Sequence, residues 1–195
     1  MKPRATLLLF VAFCFLVTSP AWGAASICDP VANNLVANCV FEPGDFTSWT
    51  PLGDTSFTDV TNFPTYVNSG DFGAQFGSIS AVGGITQNVG GPYANYFLEF
   101  ALENDGGTPN SFTVFWNGVD VGPDFVDAPQ FGYTLFGGFL QGNVGAGSNT
   151  LTFQFLQVPA WYGLDDVILT SSPEPGTLIL LGSGMLGLAG IIRRS

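Results

Sequence analysis

The chain of 195 residues contains no histidine, and its four basic residues stand only at the two ends, as Lys2 and Arg4 and as Arg193 and Arg194. Between Ala5 and Ile192 no side chain carries a positive charge. Nucleic acid is thereby excluded as a partner, because phosphate binding needs Lys and Arg to displace condensed counterions. Without imidazole there is no Ser-His-Asp or Cys-His catalysis, and no metal centre built on His. Gly-x-Ser-x-Gly, His-Glu-x-x-His and phosphate-loop sequences are absent as well. So is any helical period between Ser26 and Ser172. What the chain has is apolar and aromatic: 46% hydrophobic residues, with nineteen Phe, five Tyr and four Trp. That composition builds a packed core rather than a disordered chain, and the length suits one domain with appended signals.

Both ends read as addresses. Met1 to Arg4 is a short basic stretch, Leu7 to Val17 is apolar, and small residues follow at Gly23, Ala24 and Ala25. This is the order of a secretory signal peptide spanning residues 1–25, cleaved after Ala25 or, alternatively, after Gly23. The apolar core is shorter than the roughly 20 residues of a membrane span. At the other end, Pro173-Glu174-Pro175-Gly176 precedes an uncharged stretch, residues 177–192, and then Arg193-Arg194-Ser195. A helix of that length reaches about 24 Å, slightly less than a bilayer core of about 30 Å. A plain single-span anchor with positive-inside arginines would have the same parts.

The Pro-Glu-Pro, apolar helix and Arg-Arg order of residues 173–195 closely resembles the PEP-CTERM sorting signal, a tail also classed as an ice-binding protein C-terminal domain. The resemblance implies a Gram-negative bacterium and recognition by an exosortase in the inner membrane. It further implies a transient membrane helix at 177–192, removal of the tail, and an association with exopolysaccharide and biofilm. No Thr-x-Thr repeat elsewhere presents an ice-ordering face.

Residues 26–172 read as strands. Tyr96, Leu98, Phe100 and Leu102 share one face of an alternating run, against Phe97, Glu99, Ala101 and Glu103. Phe112, Val114 and Trp116 form a second such face, and Leu151, Phe153 and Phe155 a third. Turn sequences separate the runs, and Trp116-Asn117-Gly118-Val119 is the strongest hairpin signal, since Asn-Gly supplies two positive-φ positions. Many short strands at regular spacing predict an all-β sandwich.

The segment Asn38-Cys39-Val40-Phe41-Glu42-Pro43-Gly44-Asp45-Phe46-Thr47-Ser48-Trp49 and the close Trp161-Tyr162-Gly163-Leu164-Asp165-Asp166-Val167 resemble the two ends of galactose-binding-like jelly rolls. Carbohydrate-binding modules share that fold. The resemblance covers roughly residues 36–170 and implies an antiparallel jelly-roll sandwich. In a plain strand, Asp165 would share a face with Val167 and Leu169, and Asp166 with Leu164 and Ile168, so one carboxylate points to the core. A buried carboxylate needs compensation. With no base available, the partners open to it are a cation, a shared proton or backbone N–H groups. Calcium suits the oxygen-rich chemistry, and the resemblance implies a structural Ca²⁺ shared by Glu42 and Asp165; Asp45 and Asp166 are further candidates, and a solvent-facing carboxylate at a strand end is the alternative.

In an exported protein, Cys28 and Cys39 are expected to form a disulfide, Cys14 leaving with the signal; zinc would need two further ligands. Sugar binding would use exposed aromatics beside polar groups, and Tyr66, Tyr133, Trp161 and Tyr162 are the candidates, while Trp49 and Trp116 suit the core. Three functions remain open. The first is non-enzymatic binding of extracellular polysaccharide. The second is a structural or adhesive matrix protein, since fourteen of the fifteen acids lie in residues 26–172 and calcium would bridge such surfaces. The third is a glycoside hydrolase using two of those carboxylates, although Glu99 and Glu103, about 13 Å apart along a strand, read as solvated charges and not as a flanking pair.

Overall fold

Alternating aromatic and polar residues leave a strand half apolar, and two such sheets bury their apolar faces against each other. A computed structural model shows this outcome. It describes residues 28, 31–91, 95–142, 147–158 and 160–171; the signal region 1–25 with its cleavage site at Ala25, and the tail 173–195 with its helix at 177–192, lie outside the described residues. One antiparallel sheet runs β1 (Thr50–Gly53), β4 (Gly83–Gly90), β10 (Ser148–Gln157), β6 (Asn110–Trp116) and β7 (Val119–Asp120), with β8 (Phe125–Val126) also on β6. The other runs β2 (Thr58–Thr61), β3 (Gly73–Phe76), β11 (Tyr162–Ser171), β5 (Asn95–Asn104) and β9 (Phe131–Gln141). One short 3-10 turn, Pro64–Tyr66, interrupts the strands, and among the described residues there is no α-helix.

The inward faces are those the alternation predicts. Tyr96, Leu98, Phe100 and Leu102 of β5 meet Phe112, Val114 and Trp116 of β6 and Leu151, Phe153 and Phe155 of β10, all buried. Phe76 stacks on Phe155 at 3.9 Å between ring centres, and Phe100 meets Phe153 edge-on at 5.1 Å. Each buried ring contributes about 2 kcal/mol by leaving water. Trp49 and Trp116 both lie in this core. Asn117 (φ 52°) and Gly118 (φ 76°) make the tight β6–β7 turn.

The chain before β1 is an arm held along β11. Leu35 N–H donates to Leu169 O at 2.8 Å, and Val167 N–H to Cys39 O at 2.9 Å. Gln87 both donates to and accepts from the backbone of Ala37 at 2.9 Å. Cys28 and Cys39 form the expected disulfide, fastening the start of the arm to its end.

Candidate functional site

The closing strand β11 departs from a plain strand where chemistry was expected. Leu164 lies opposite Leu102 and Asp165 opposite Ala101, but the next pair is Ile168 with Glu99, so Asp166 and Val167 form a bulge, with Asp166 at φ 51°. The bulge resets the alternation. Asp165 therefore shares the outward face with Gly163 and Ile168, not with Val167 and Leu169, and Leu164 and Leu169 both face the core. Despite this, Asp165 and Asp166 are both buried, because the loop between the 3-10 turn and β3 lies over them. Asn68 N–H and Ser69 N–H donate to Asp165 Oδ2 at 2.8 and 3.1 Å, and Asp166 N–H to Asp165 Oδ1 at 2.8 Å. Asn68 Nδ2 donates to Asp166 Oδ2 at 2.7 Å and Ser69 Oγ to Asp166 Oδ1 at 2.6 Å. Burial, then the neighbouring charge of Asp166, pushes Asp165 up to about 8, against the pull of those N–H groups.

Glu42 grips the same loop further along, accepting from Asp71 N–H at 2.8 Å and Phe72 N–H at 3.2 Å. Its carboxylate lies against Gly70, where any Cβ would collide with Oε1 and where φ is +73°, so glycine is required. Asp45 stands apart and exposed, its carboxylate accepting Thr47 N–H at 2.8 Å; the Thr47 side chain, then that N–H, hold its pKa below the usual value. Among the described residues no three acidic, His or Cys side chains gather into a metal-holding cluster. Three of the four calcium candidates, Glu42, Asp165 and Asp166, thus bind one loop; Asp45 does not.

On the outward face of the second sheet, Asp59 of β2 and Gln75 of β3 are register partners, so their side chains leave the sheet side by side. With Thr61, Phe63, Thr65, Tyr66 and Trp161 they line a cleft of about 590 Å³, within the roughly 300–1,000 Å³ of small-ligand sites. The Tyr66 and Trp161 rings lie 6.3 Å apart at 56°, and Phe63 is 66% exposed. Tyr66 donates its hydroxyl to Asp105 Oδ2 at 2.7 Å; burial and this bond to a carboxylate raise the phenol well above its ordinary value. Asp105 is held in turn by its N–H on Trp161 O at 3.1 Å.

Beside the cleft, Gly163 lies opposite Glu103, and the missing side chain makes a slot. A Cβ there would sit 2.7 Å from both Glu103 Cγ and the Tyr133 hydroxyl. Glu103 is buried, contrary to the solvated strand charge expected, because Tyr133 and the Gly163 slot enclose it. Its burial, then the charge of Asp105, pushes it up to about 8. Glu103 Oε1, Tyr133 OH and Trp161 Nε1 are buried without a hydrogen-bond partner.

Of the four aromatic candidates, Tyr66 and Trp161 come together in the cleft and Tyr133 lies beside it with its hydroxyl covered. Tyr162 is a correction: it is fully buried, between Phe112 and Phe155, and donates to Asn110 Oδ1 at 2.7 Å. Strand alternation turns it inward once Trp161 faces out. Asp59, Phe63 and Gln75 escaped the sequence reading. Phe63-Pro64-Thr65-Tyr66, two aromatics flanking a proline turn, was the signal available for them.

The described sandwich is similar to many solved structures, three of which follow. A family 61 carbohydrate-binding module in complex with β-1,4-galactotriose matches at TM-score 0.55 and 21% identity, over 72% of this chain and 100% of that one. The CBM22-1 xylan-binding domain from Paenibacillus barcinonensis Xyn10C matches at TM-score 0.50 and 17% identity, over 72% and 97%. The body of the chain has the fold of the carbohydrate-binding modules. The enzymatically active domain of bacteriophage CBA120 tailspike protein 4 matches at TM-score 0.54 and 14% identity, over 71% of this chain and 21% of that one. Residues 173–194 match the family model of the PEP-CTERM protein-sorting motif, so the module is carried on a chain bearing an export and transient membrane-anchoring signal for exosortase processing. No curated protein matches the chain.

Proposed function

We propose that residues 26–172 form a non-enzymatic extracellular binding module that holds a polysaccharide in the Phe63–Tyr66–Trp161 cleft. The cleft itself carries this reading: aromatic faces able to stack on sugar rings stand beside Asp59, Thr61 and Gln75, which hydrogen-bond hydroxyls. The PEP-CTERM tail and the carbohydrate-binding-module fold support a partner outside the cell. The cell surface or matrix of a Gram-negative bacterium, with its exopolysaccharide, is the proposed setting. Calcium is proposed as a structural support only, held by Glu42 and Asp165 with Asp166 beside them. In a body without any base, the remaining lone pairs of these carboxylate oxygens are the groups that would hold that ion.

The test is binding of the full chain, in mild detergent, to the producing strain's exopolysaccharide, with Ca²⁺ and then EDTA. Saturable binding that falls at least about ten-fold in Phe63→Ala, a loss of about 1.4 kcal/mol, is expected; the absence of saturable binding overturns the reading. Turnover of the glycan would instead make the protein a glycoside hydrolase.

A matrix role by self-association is a second reading, favoured by β9. This eleven-residue edge strand has no charged residue and exposes Leu135 and Phe139, the kind of edge that pairs with a second copy unless blocked. Sedimentation would show concentration-dependent dimers that Phe139→Lys abolishes; a monomer at every concentration, with and without Ca²⁺, removes this reading.

A further inference from the structure

The cleft holds one carboxylate and no cationic side chain; its neutral polar groups are the Gln75 amide, two threonine hydroxyls, the Tyr66 phenol and the Trp161 indole. Asp59 supplies two carboxylate oxygens, of which Oδ1 takes Val60 N–H. Tyr66, the one phenol in the lining, already donates its hydroxyl hydrogen to Asp105 and has none to offer a ligand. Gln75, Thr61 and Thr65 accept as readily as they donate. No Lys, Arg or His occurs between residues 5 and 192, so no positive side chain can neutralise a carboxylate or sulfate group there. A uronate there would meet Asp59 in front, Asp105 behind and an acidic body all round, and like charges brought together without counter-charge are unfavourable. A protonated amine presents the opposite set: three N–H donors, no acceptor and one positive charge. It also gains from the faces of Phe63, Tyr66 and Trp161, which attract cations as well as sugar C–H surfaces.

We infer that the cleft takes an amine-bearing glycan, a hexosamine polymer with free ammonium groups, whose amine sits at Asp59 while its ring stacks on the Phe63–Tyr66–Trp161 aromatics. The inference rests on the glycan-binding reading of the same cleft and adds its ligand class. Asp59 sets the charge preference, and the aromatics set binding to any sugar. The two contributions therefore separate by substitution.

The experiment is calorimetric titration of the full chain in detergent with four probes: a β-1,4-glucosamine hexamer, its fully N-acetylated counterpart, a neutral β-1,4-galactan oligomer and an oligogalacturonate. At mildly acid pH, where the amines are protonated, and low ionic strength, the glucosamine hexamer binds about ten-fold more tightly than its N-acetylated counterpart. The galacturonate does not bind, and the preference shrinks as salt shortens the screening length from about 30 Å towards 10 Å. Asp59→Asn removes the preference and leaves the N-acetylated hexamer within about two-fold, since an amide still bonds hydroxyls. Phe63→Ala weakens both hexamers. Equal or tighter binding of the neutral oligomers, or a preference that survives Asp59→Asn, overturns the inference and leaves the glycan-binding reading intact. Binding of spermine as tight as the glucosamine hexamer and indifferent to Phe63→Ala also overturns it, as plain attraction to an acidic surface. If no oligosaccharide binds, both fall.

Discussion

Two pairs of buried groups lie on the outward face of the same sheet and are built from similar chemistry. At the bulge of β11, the carboxylates of Asp165 and Asp166 have every oxygen engaged by Asn68, Ser69 or the Asp166 N–H. A few residues away, Glu103 Oε1 and the Tyr133 hydroxyl are equally buried and have no partner. Buried polar groups cost free energy unless they are bonded. The first pair is therefore a fastening, closed by the chain itself. The second is an open polar slot beside the cleft, the condition in which a protein leaves groups that a ligand or water completes. Difference in residue type does not explain the contrast. Loop 67–72 covers the first pair with N–H donors; the second pair meets across the side-chain-free Gly163.

The largest effect should come from breaking the fastening. Asp165→Ala strips the acceptor from three backbone N–H groups at once and opens the loop that Glu42 also holds. Leaving buried donors unsatisfied costs about 1–3 kcal/mol each, with losses shared because the loop can partly move. Urea unfolding should show a loss of at least about 3 kcal/mol; a loss below about 1 kcal/mol would mean that the loop is not held by this carboxylate.

The next test is pH. Asp165 and Glu103 are each pushed up to about 8 in the folded state, against ordinary values near 4. The folded protein then binds more protons than the unfolded chain across that window, so stability is greatest at the acid end and falls as pH rises towards 8, levelling off above it. With each share discounted for solvent screening, the combined fall is on the order of 2 kcal/mol between pH 5 and 8. Glu103→Gln should flatten part of the slope of melting temperature against pH. If calcium occupies Asp165, adding it favours the charged carboxylate and removes most of the remainder. A stability that rises from pH 5 to 8 in metal-free buffer would contradict the burial of both acids.

Much of this molecule was legible in its sequence, and the parts that were not share a cause. Period-two alternation placed Tyr96 to Leu102, Phe112 to Trp116 and Leu151 to Phe155 in the core, because side-chain direction along a strand is set locally. Asn117-Gly118 declared its turn for the same reason. The faces of Asp165 and Ile168 were misjudged because a bulge adds one residue to one strand, and nothing in Asp165-Asp166-Val167 announces where alternation resets. Tyr162 was one of four aromatic candidates for sugar binding, although alternation alone turns either it or Trp161 inward. The cleft could not be foreseen whole, since Asp59 and Gln75 meet only through the β2–β3 register, Trp161 arrives from the far end of the chain, and Glu103 becomes buried only because Gly163 lies across from it. Local chemistry is written locally; a site assembled by long-range pairing is not.

The finest test removes one buried hydroxyl at each pair, the Ser69 donor at the first and the Tyr133 member of the second. Ser69 Oγ donates to Asp166 Oδ1 at 2.6 Å, a bond to a carboxylate, and Ser69→Ala should cost about 1.5–2 kcal/mol. Tyr133 OH has no partner in the protein, so Tyr133→Phe gives up no bond, keeps the ring over Gly163 and relieves a desolvated hydroxyl. Its phenol is already held well above the ordinary range by burial and by the charges of Asp165 and Glu103, so no ionised form is lost. The expected change is within about 0.5 kcal/mol of zero or slightly stabilising, measured by the same urea midpoints with unchanged m-values. Equal losses in the two variants would show that a bound water completes Tyr133 as fully as Asn68 and Ser69 complete the aspartates, and the slot would then be as closed as the fastening. Unequal losses, with Tyr133→Phe silent in stability but weakening glycan binding, would make the hydroxyl a group kept free for the ligand.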